Sequence, residues 1–129
     1  MTLDSSALIA ILFGEPGYLE LVDRVLRADL VRIGTPTLTK TAIVLAARRR
    51  GRGGDELAGL LEELDVAVVP FTLAHHEVAA RAYERYGRGR HKANLNFGDC
   101  LSYAVASRAG DSLLFVGDDF RRTDIEPAL

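Results

Sequence analysis

Apolar positions along this chain fall in short bursts, separated by polar stretches that carry glycine or proline. Residues 2–3, 30–33, 66–69 and 112–116 are brief runs of Val, Ile, Leu and Thr broken by few charges, and they read as strands. The runs at 66–69 and 112–116 are continuous enough to predict strands buried on both faces. Between the runs the apolar spacing turns helical. Leu19, Val22, Val25 and Leu26 recur with that period inside 18–28. Further helices are predicted over 7–13, from Pro36 to the stop at 48–51, and over 56–64, 73–86 and 100–109.

Punctuation supports these assignments. Asp4-Ser5-Ser6 supplies an N-cap, and Gly14-Glu15-Pro16-Gly17 a stop. Pro36 stands where a helix needs no donor, and Thr72 caps the helix that follows it. A polar, basic loop covers 87–96, and residues 123–125 form a last edge strand. Strands alternating with helical crossovers predict an α/β fold, a three-layer α/β/α sandwich around a mostly parallel sheet. With 129 residues and no Pro-rich linker or repeat, one domain over 1–129 is expected.

Composition narrows the function classes. Sixteen Lys+Arg against eighteen Asp+Glu give −2, which excludes a globally basic nucleic-acid binder and leaves room for a local basic patch. The single Cys100 excludes a disulfide framework and a cysteine zinc finger, and it suits a reducing, cytoplasmic setting. No apolar run reaches the ~18 residues of a membrane span, so no membrane partner is expected. Residues 1–13 lack the basic leader of a signal peptide. His75-His76 lacks a third ligand at metal spacing and reads as a capping or surface pair, while Cys100 reads as core.

The acidic residues form the candidate site. In parallel α/β sheets, ligands bind beyond the carboxyl ends of the strands. Asp4 follows the first strand, Asp118 and Asp119 follow a later one, and Asp99 starts a helix. Taken singly, each is an N-cap or a turn residue. Taken together, they predict a cup whose mutual repulsion a hard divalent cation, Mg²⁺ or Mn²⁺, would relieve. Such an ion suits phosphodiester hydrolysis.

The basic residues fit that substrate. Arg81, Arg85, Arg88, Arg90 and Lys92 against Glu84 give +4 in a near-neutral chain. Arg85, Arg88, Arg90, His91 and Lys92 are candidate RNA contacts, with Tyr83 or Tyr86 as stacking partners. The alternative is a solvated helix face followed by a loop. Arg48, Arg49, Arg50 and Arg52 form a second cluster at a helix end, where the dipole accounts for much of it. Leucine- and valine-rich helices at 18–28 and 55–64 are expected to leave an apolar groove for a partner helix or a dimer.

Four stretches resemble a known family: Leu3-Asp4-Ser5-Ser6-Ala7-Leu8, Tyr86-Gly87-Arg88-Gly89-Arg90-His91, Leu95-Asn96-Phe97-Gly98-Asp99-Cys100, and Leu113-Leu114-Phe115-Val116-Gly117-Asp118-Asp119-Phe120. In this order and at this length they are similar to the VapC-type toxins of the PIN-domain ribonucleases. The resemblance implies Mg²⁺- or Mn²⁺-dependent endonucleolytic cleavage of RNA, a cognate VapB-type antitoxin and a toxin homodimer. Asp4 and Asp99 would be metal ligands, with the last carboxylate at Asp118 or Asp119. Ser6 would hydrogen-bond near the metal or its water, and Asn96 would shape the rim. The departure is Lys40, at a position where the family usually has glutamate. Asp4, Asp99, Asp118 and Asp119 sum to −4; glutamate at 40 would make −5, whereas Lys40 makes −3. Two other classes remain: a non-catalytic protein of this fold that binds antitoxin or RNA, and a phosphoacceptor receiver. A receiver carries its acidic pair after the first strand, where this chain has the single Asp4.

Overall fold

In a computed structural model that describes residues 1–51 and 53–129, four short strands pair in parallel. They are β1 (Thr2–Leu3), β2 (Val31–Gly34), β3 (Val66–Val69) and β4 (Leu113–Leu114), in the order β3-β2-β1-β4. Registers such as Thr2 opposite both Arg32 and Leu113 put all carboxyl ends along one edge. Helices α1 (Ser5–Phe13), α2 (Tyr18–Leu26), α3 (Thr35–Arg48), α4 (Gly54–Glu63), α5 (Leu73–Tyr86) and α6 (Phe97–Ala109) supply the crossovers.

Two cores lie on opposite sides of the sheet. Successive strand residues face opposite ways. Leu114 therefore joins Leu3, Ile33, Leu8 and Val25 on one side, and Leu113 joins Tyr103, Ala104 and Leu95 on the other. The three layers predicted from the alternation are present. No single helix among the described residues is long and apolar enough to cross a membrane.

Several local expectations are corrected. The run at 66–69 is an edge strand of the sheet, and Val68 is 45% exposed. Continuous β-branched sequence marks a strand without saying that both its faces are covered. Helix α6 begins at Phe97, three residues before the expected start, because Asn96 caps it. Strand β4 spans Leu113–Leu114 rather than all of 112–116. No strand forms at 123–125; a 3-10 turn occupies Phe120–Arg122, and the tail meets β4 through a single bridge between Leu113 and Pro127.

Gly34 joins β2 to α3 and lies against α6. A Cβ there would stand 2.7 Å from Val105 Cγ2, inside a packed core. Gly34→Ala is expected to cost about 1–3 kcal/mol by overpacking, read as a lower urea midpoint. An unchanged midpoint would contradict this close approach.

Candidate active site

Asp4 ends β1 and caps α1, with 3% of its surface exposed. Its Oδ2 accepts from the Ser6 amide at 2.9 Å and the Ser6 hydroxyl at 2.6 Å, and its Oδ1 accepts from the Ser102 hydroxyl at 2.6 Å. Ser6 Oγ in turn accepts from the Val116 amide at 3.0 Å, tying the exit of β4 to the exit of β1. The Ser6 proton is thus committed to Asp4, a strut role beyond the expected contact near a metal. Ser102 spends its one proton on Asp4, so Thr37, whose Oγ1 lies 3.0 Å away, is the donor to Ser102. Sequence reading passes over Ser102 and Thr37. The available clue is spacing, since Ser102 is three residues past Asp99 on one helix face.

Asp99 is the third residue of α6 and 7% exposed. Its Oδ2 accepts from the Asn96 amide at 3.0 Å, while the Asp99 amide donates to Asn96 Oδ1 at 2.9 Å. Asn96 therefore acts as a reciprocal cap of α6. Burial pushes the Asp99 carboxyl above the usual carboxylate range. The Asn96 amide draws it back down, Asp4 pushes it up, Lys40 pulls it down, and Asp119 pushes it up. These charges thus act on Asp99, although they come from the end of β1, from α3 and from the loop after β4.

Asp118 and Asp119 are both exposed, and their carbonyls accept from the Arg121 and Arg122 amides in the 3-10 turn; Asp119 is among the charges that act on Asp99. Lys40 is exposed on α3, and its Nζ lies 3.1 Å from where a Cβ on Gly98 would be. The ammonium therefore rests over the first turn of α6, beside Asn96. Among the described residues Lys40 makes no ion pair within 4.0 Å, and no three His, Cys, Asp or Glu side chains close into a ready-made cation clasp. The donors are nonetheless of the right kind for a hard divalent ion, being carboxylate oxygens with lone pairs left after their hydrogen bonds.

The basic loop is pinned. The Arg88 amide donates to the Leu95 carbonyl at 2.9 Å, and Leu95 donates to the Tyr86 carbonyl at 3.0 Å. Arg85 pairs with Asp124 at 3.2 Å and lies over Tyr86. His91 Nδ1 accepts from the Ala93 amide at 3.0 Å, a loop-holding contact. Arg88, Arg90 and Lys92 are exposed, with Arg90 lying 5.7 Å from the Tyr83 ring centre. His75 is buried, and its Nδ1 accepts from the Thr72 amide at 3.0 Å, the expected capping role. Cys100 is buried in the core as expected. Arg48 and Arg49 stack on Phe13, while Arg52 lies outside the described residues.

The family model of the PIN domain matches residues 1–126. The "Ribonuclease VapC" of Mycolicibacterium smegmatis is 45% identical over 126 residues, covering 97% of both chains. The chain belongs to the VapC branch of the PIN-domain family. The backbone of this VapC-family protein also superposes on two solved structures. One is the crystal structure of Mycobacterium tuberculosis VapC20, described as a Sarcin-Ricin loop cleaving toxin, with a TM-score of 0.74 at 19% identity, covering 98% of each chain. The other is a toxin–antitoxin complex from Klebsiella pneumoniae, with a TM-score of 0.73 at 14% identity, covering 99% of this chain and 97% of that one. At such identities the likeness is one of fold.

Proposed function

We propose that this protein is a toxin-type endoribonuclease that cleaves RNA phosphodiester bonds with Mg²⁺ or Mn²⁺, restrained by a cognate VapB-type antitoxin. The observation that carries the reading is the gathering of Asp4, Asp99 and Asp119 at the carboxyl edge of a parallel sheet, where Asp4 and Asp119 both act on the buried Asp99 carboxyl. Asp4 and Asp99 would hold the ion, with Asp119 on the open side. When bound, the ion polarises the scissile phosphate and lowers the pKa of a water for in-line attack. Ser6 and Ser102 keep Asp4 aligned through their hydroxyl protons. The exposed Arg88, Arg90 and Lys92 grip flanking phosphates. A chelator-sensitive cleavage assay on single-stranded RNA tests this. Cleavage that survives chelation, or none at any metal concentration even in the Lys40→Glu variant, contradicts it.

Lys40 supports a second reading, a scaffold of this family that binds antitoxin or RNA with its catalysis weakened. An ammonium fixed about 5 Å from a divalent ion is repelled by roughly 6–7 kcal/mol at an effective dielectric near 20. A flexible, exposed lysine swings aside and relieves most of that.

Partners follow the same physics. A depression of about 390 Å³ lies between α1 and α4, with Ile11, Leu12 and Leu60 flanked by Asp55, Glu56 and Glu63; α2, expected to share the groove, does not line it. That lining suits a basic amphipathic antitoxin helix. The toxin itself is proposed to be a homodimer. If the antitoxin directs a cationic side chain into the acidic cup, it binds Lys40→Glu more tightly than the parent chain in a calorimetric titration. Equal affinities would count against that contact.

A further inference from the structure

The carboxylates of the acidic cup are held in different ways. Hydrogen bonds from Ser6, Ser102 and Asn96 hold Asp4 and Asp99. The Asp119 carboxylate is exposed and makes no ion pair within 4.0 Å among the described residues, so its placement depends on the backbone to either side. On the β4 side stands Gly117, at φ 102°, a left-handed conformation that favours glycine. On the other side the chain forms one hydrogen-bonded unit. Asp119 starts the 3-10 turn, the Thr123 hydroxyl donates to the Phe120 carbonyl at 2.7 Å, and the Ile125 amide donates to Thr123 Oγ1 at 3.2 Å. Phe120 and Ile125 are buried in the same core cluster as Tyr103. Asp124, inside this unit, uses both oxygens: Oδ1 accepts from the Tyr103 hydroxyl at 2.7 Å and Oδ2 from Arg85 at 3.2 Å.

We propose that Asp124 is a positioning residue of the acidic cup: it fastens the unit carrying Asp119 to helix α6 through the Tyr103 hydroxyl, and so sets where Asp119 stands relative to Asp99. The inference rests on the ribonuclease reading above and adds to it a carboxylate that holds no ion. Tyr103 lies four residues, about one helical turn, past Asp99 on α6. Ser102, beside it, holds Asp4. Each carboxylate of the cup is thereby referenced to one helix. Asp99 stands on it, Asp4 meets it at Ser102, and Asp119 meets it through Asp124 at Tyr103. The buried Phe120 ring fixes where the unit sits, but a single anchor leaves it free to rotate about that ring. The Tyr103 contact, off that axis, removes the freedom. Tyr103 is 7% exposed, and a hydroxyl on so buried a side chain requires a partner. The Arg85 pair is exposed at both ends and contributes little hold of its own.

A double-mutant cycle tests this in a host chain carrying Lys40→Glu, where Mn²⁺ binding is expected to be strongest. Binding is read by electron paramagnetic resonance without RNA. Tyr103→Phe is expected to weaken it about three- to tenfold, below the roughly 10–100-fold typical of groups that touch a metal ligand directly. Asp124→Ala should match that loss. Asp124→Asn keeps an acceptor for the hydroxyl and should stay within about twofold of the host. With Asp119→Asn already present, Tyr103→Phe should change binding by less than about twofold, because its effect travels through that carboxylate. A purely structural role would lower the melting temperature and leave the Mn²⁺ curves of the folded proteins superposed. Superposed curves for the host and Tyr103→Phe, an equal loss with and without Asp119→Asn, or an Asp124→Asn as weak as Asp124→Ala each overturn the inference. If Mn²⁺ binding is lost in Asp99→Asn yet indifferent to Tyr103→Phe, the ribonuclease reading stands alone; a host that binds no Mn²⁺ overturns both.

Discussion

Replacing Lys40 by glutamate is expected to raise metal-dependent RNA cleavage by about ten- to a hundredfold at limiting metal. The substitution moves the local formal charge by two units, from −3 to −5. The ammonium lies over the α6 turn that carries Asp99 and pulls that carboxyl's pKa down, so its charge is felt where an ion would sit. Each ~1.4 kcal/mol of relieved repulsion is a factor of ten in affinity. Lys40 is exposed and makes no ion pair within 4.0 Å among the described residues, so the fold loses little when it is replaced. Thermal stability of the metal-free variant is therefore expected to change slightly. The rate gain should fade at saturating metal, because it arises in binding. A variant with no gain at any metal concentration would sink the idea of an attenuated site.

Asp99→Asn is expected to move activity and stability in opposite directions. Loss of a buried carboxylate donor should reduce cleavage by at least about a hundredfold, the upper scale seen even for partners behind a metal's own ligands. Asparagine keeps an oxygen that can accept from the Asn96 amide, so the cap of α6 persists. Its neutral side chain removes the repulsion from Asp4 and Asp119. The raised pKa of Asp99 means that the folded chain binds a proton more tightly than the unfolded one does. Stability from this group is therefore present at low pH and is lost as pH rises through the ordinary carboxylate range and the raised value above it. Above that window the parent carries the penalty and Asp99→Asn does not. The melting temperature of the metal-free variant at neutral pH should exceed the parent's, with the gap closing as pH falls. A variant that melts lower at neutral pH would contradict the assigned electrostatics.

Much of this is legible in the sequence. Thr2–Leu3 and Leu113–Leu114 read as strands because apolar residues are bounded there by Asp4 and by the Gly117 turn. The acidic edge follows from the rule that parallel strands deliver their carboxyl ends to one side. What fails depends on neighbours. Whether Val66–Val69 is central or an edge is settled by strand order, which hydrophobicity does not encode. The doublet Asp118-Asp119 is ambiguous in sequence, because a turn sets where two adjacent side chains point. Ser102 and Thr37 escape notice because a charge-based reading passes over hydroxyls, and their role exists only where α3 crosses α6.

The account stands or falls on whether Asp4, Asp99 and Asp119 jointly bind a cation that Lys40 opposes. A titration of Mn²⁺ followed by electron paramagnetic resonance, on the parent chain and two variants without RNA, measures this directly. The expected result is weak binding by the parent, stronger binding by Lys40→Glu and none at that site in Asp99→Asn. Identical titration curves for all three proteins would contradict it.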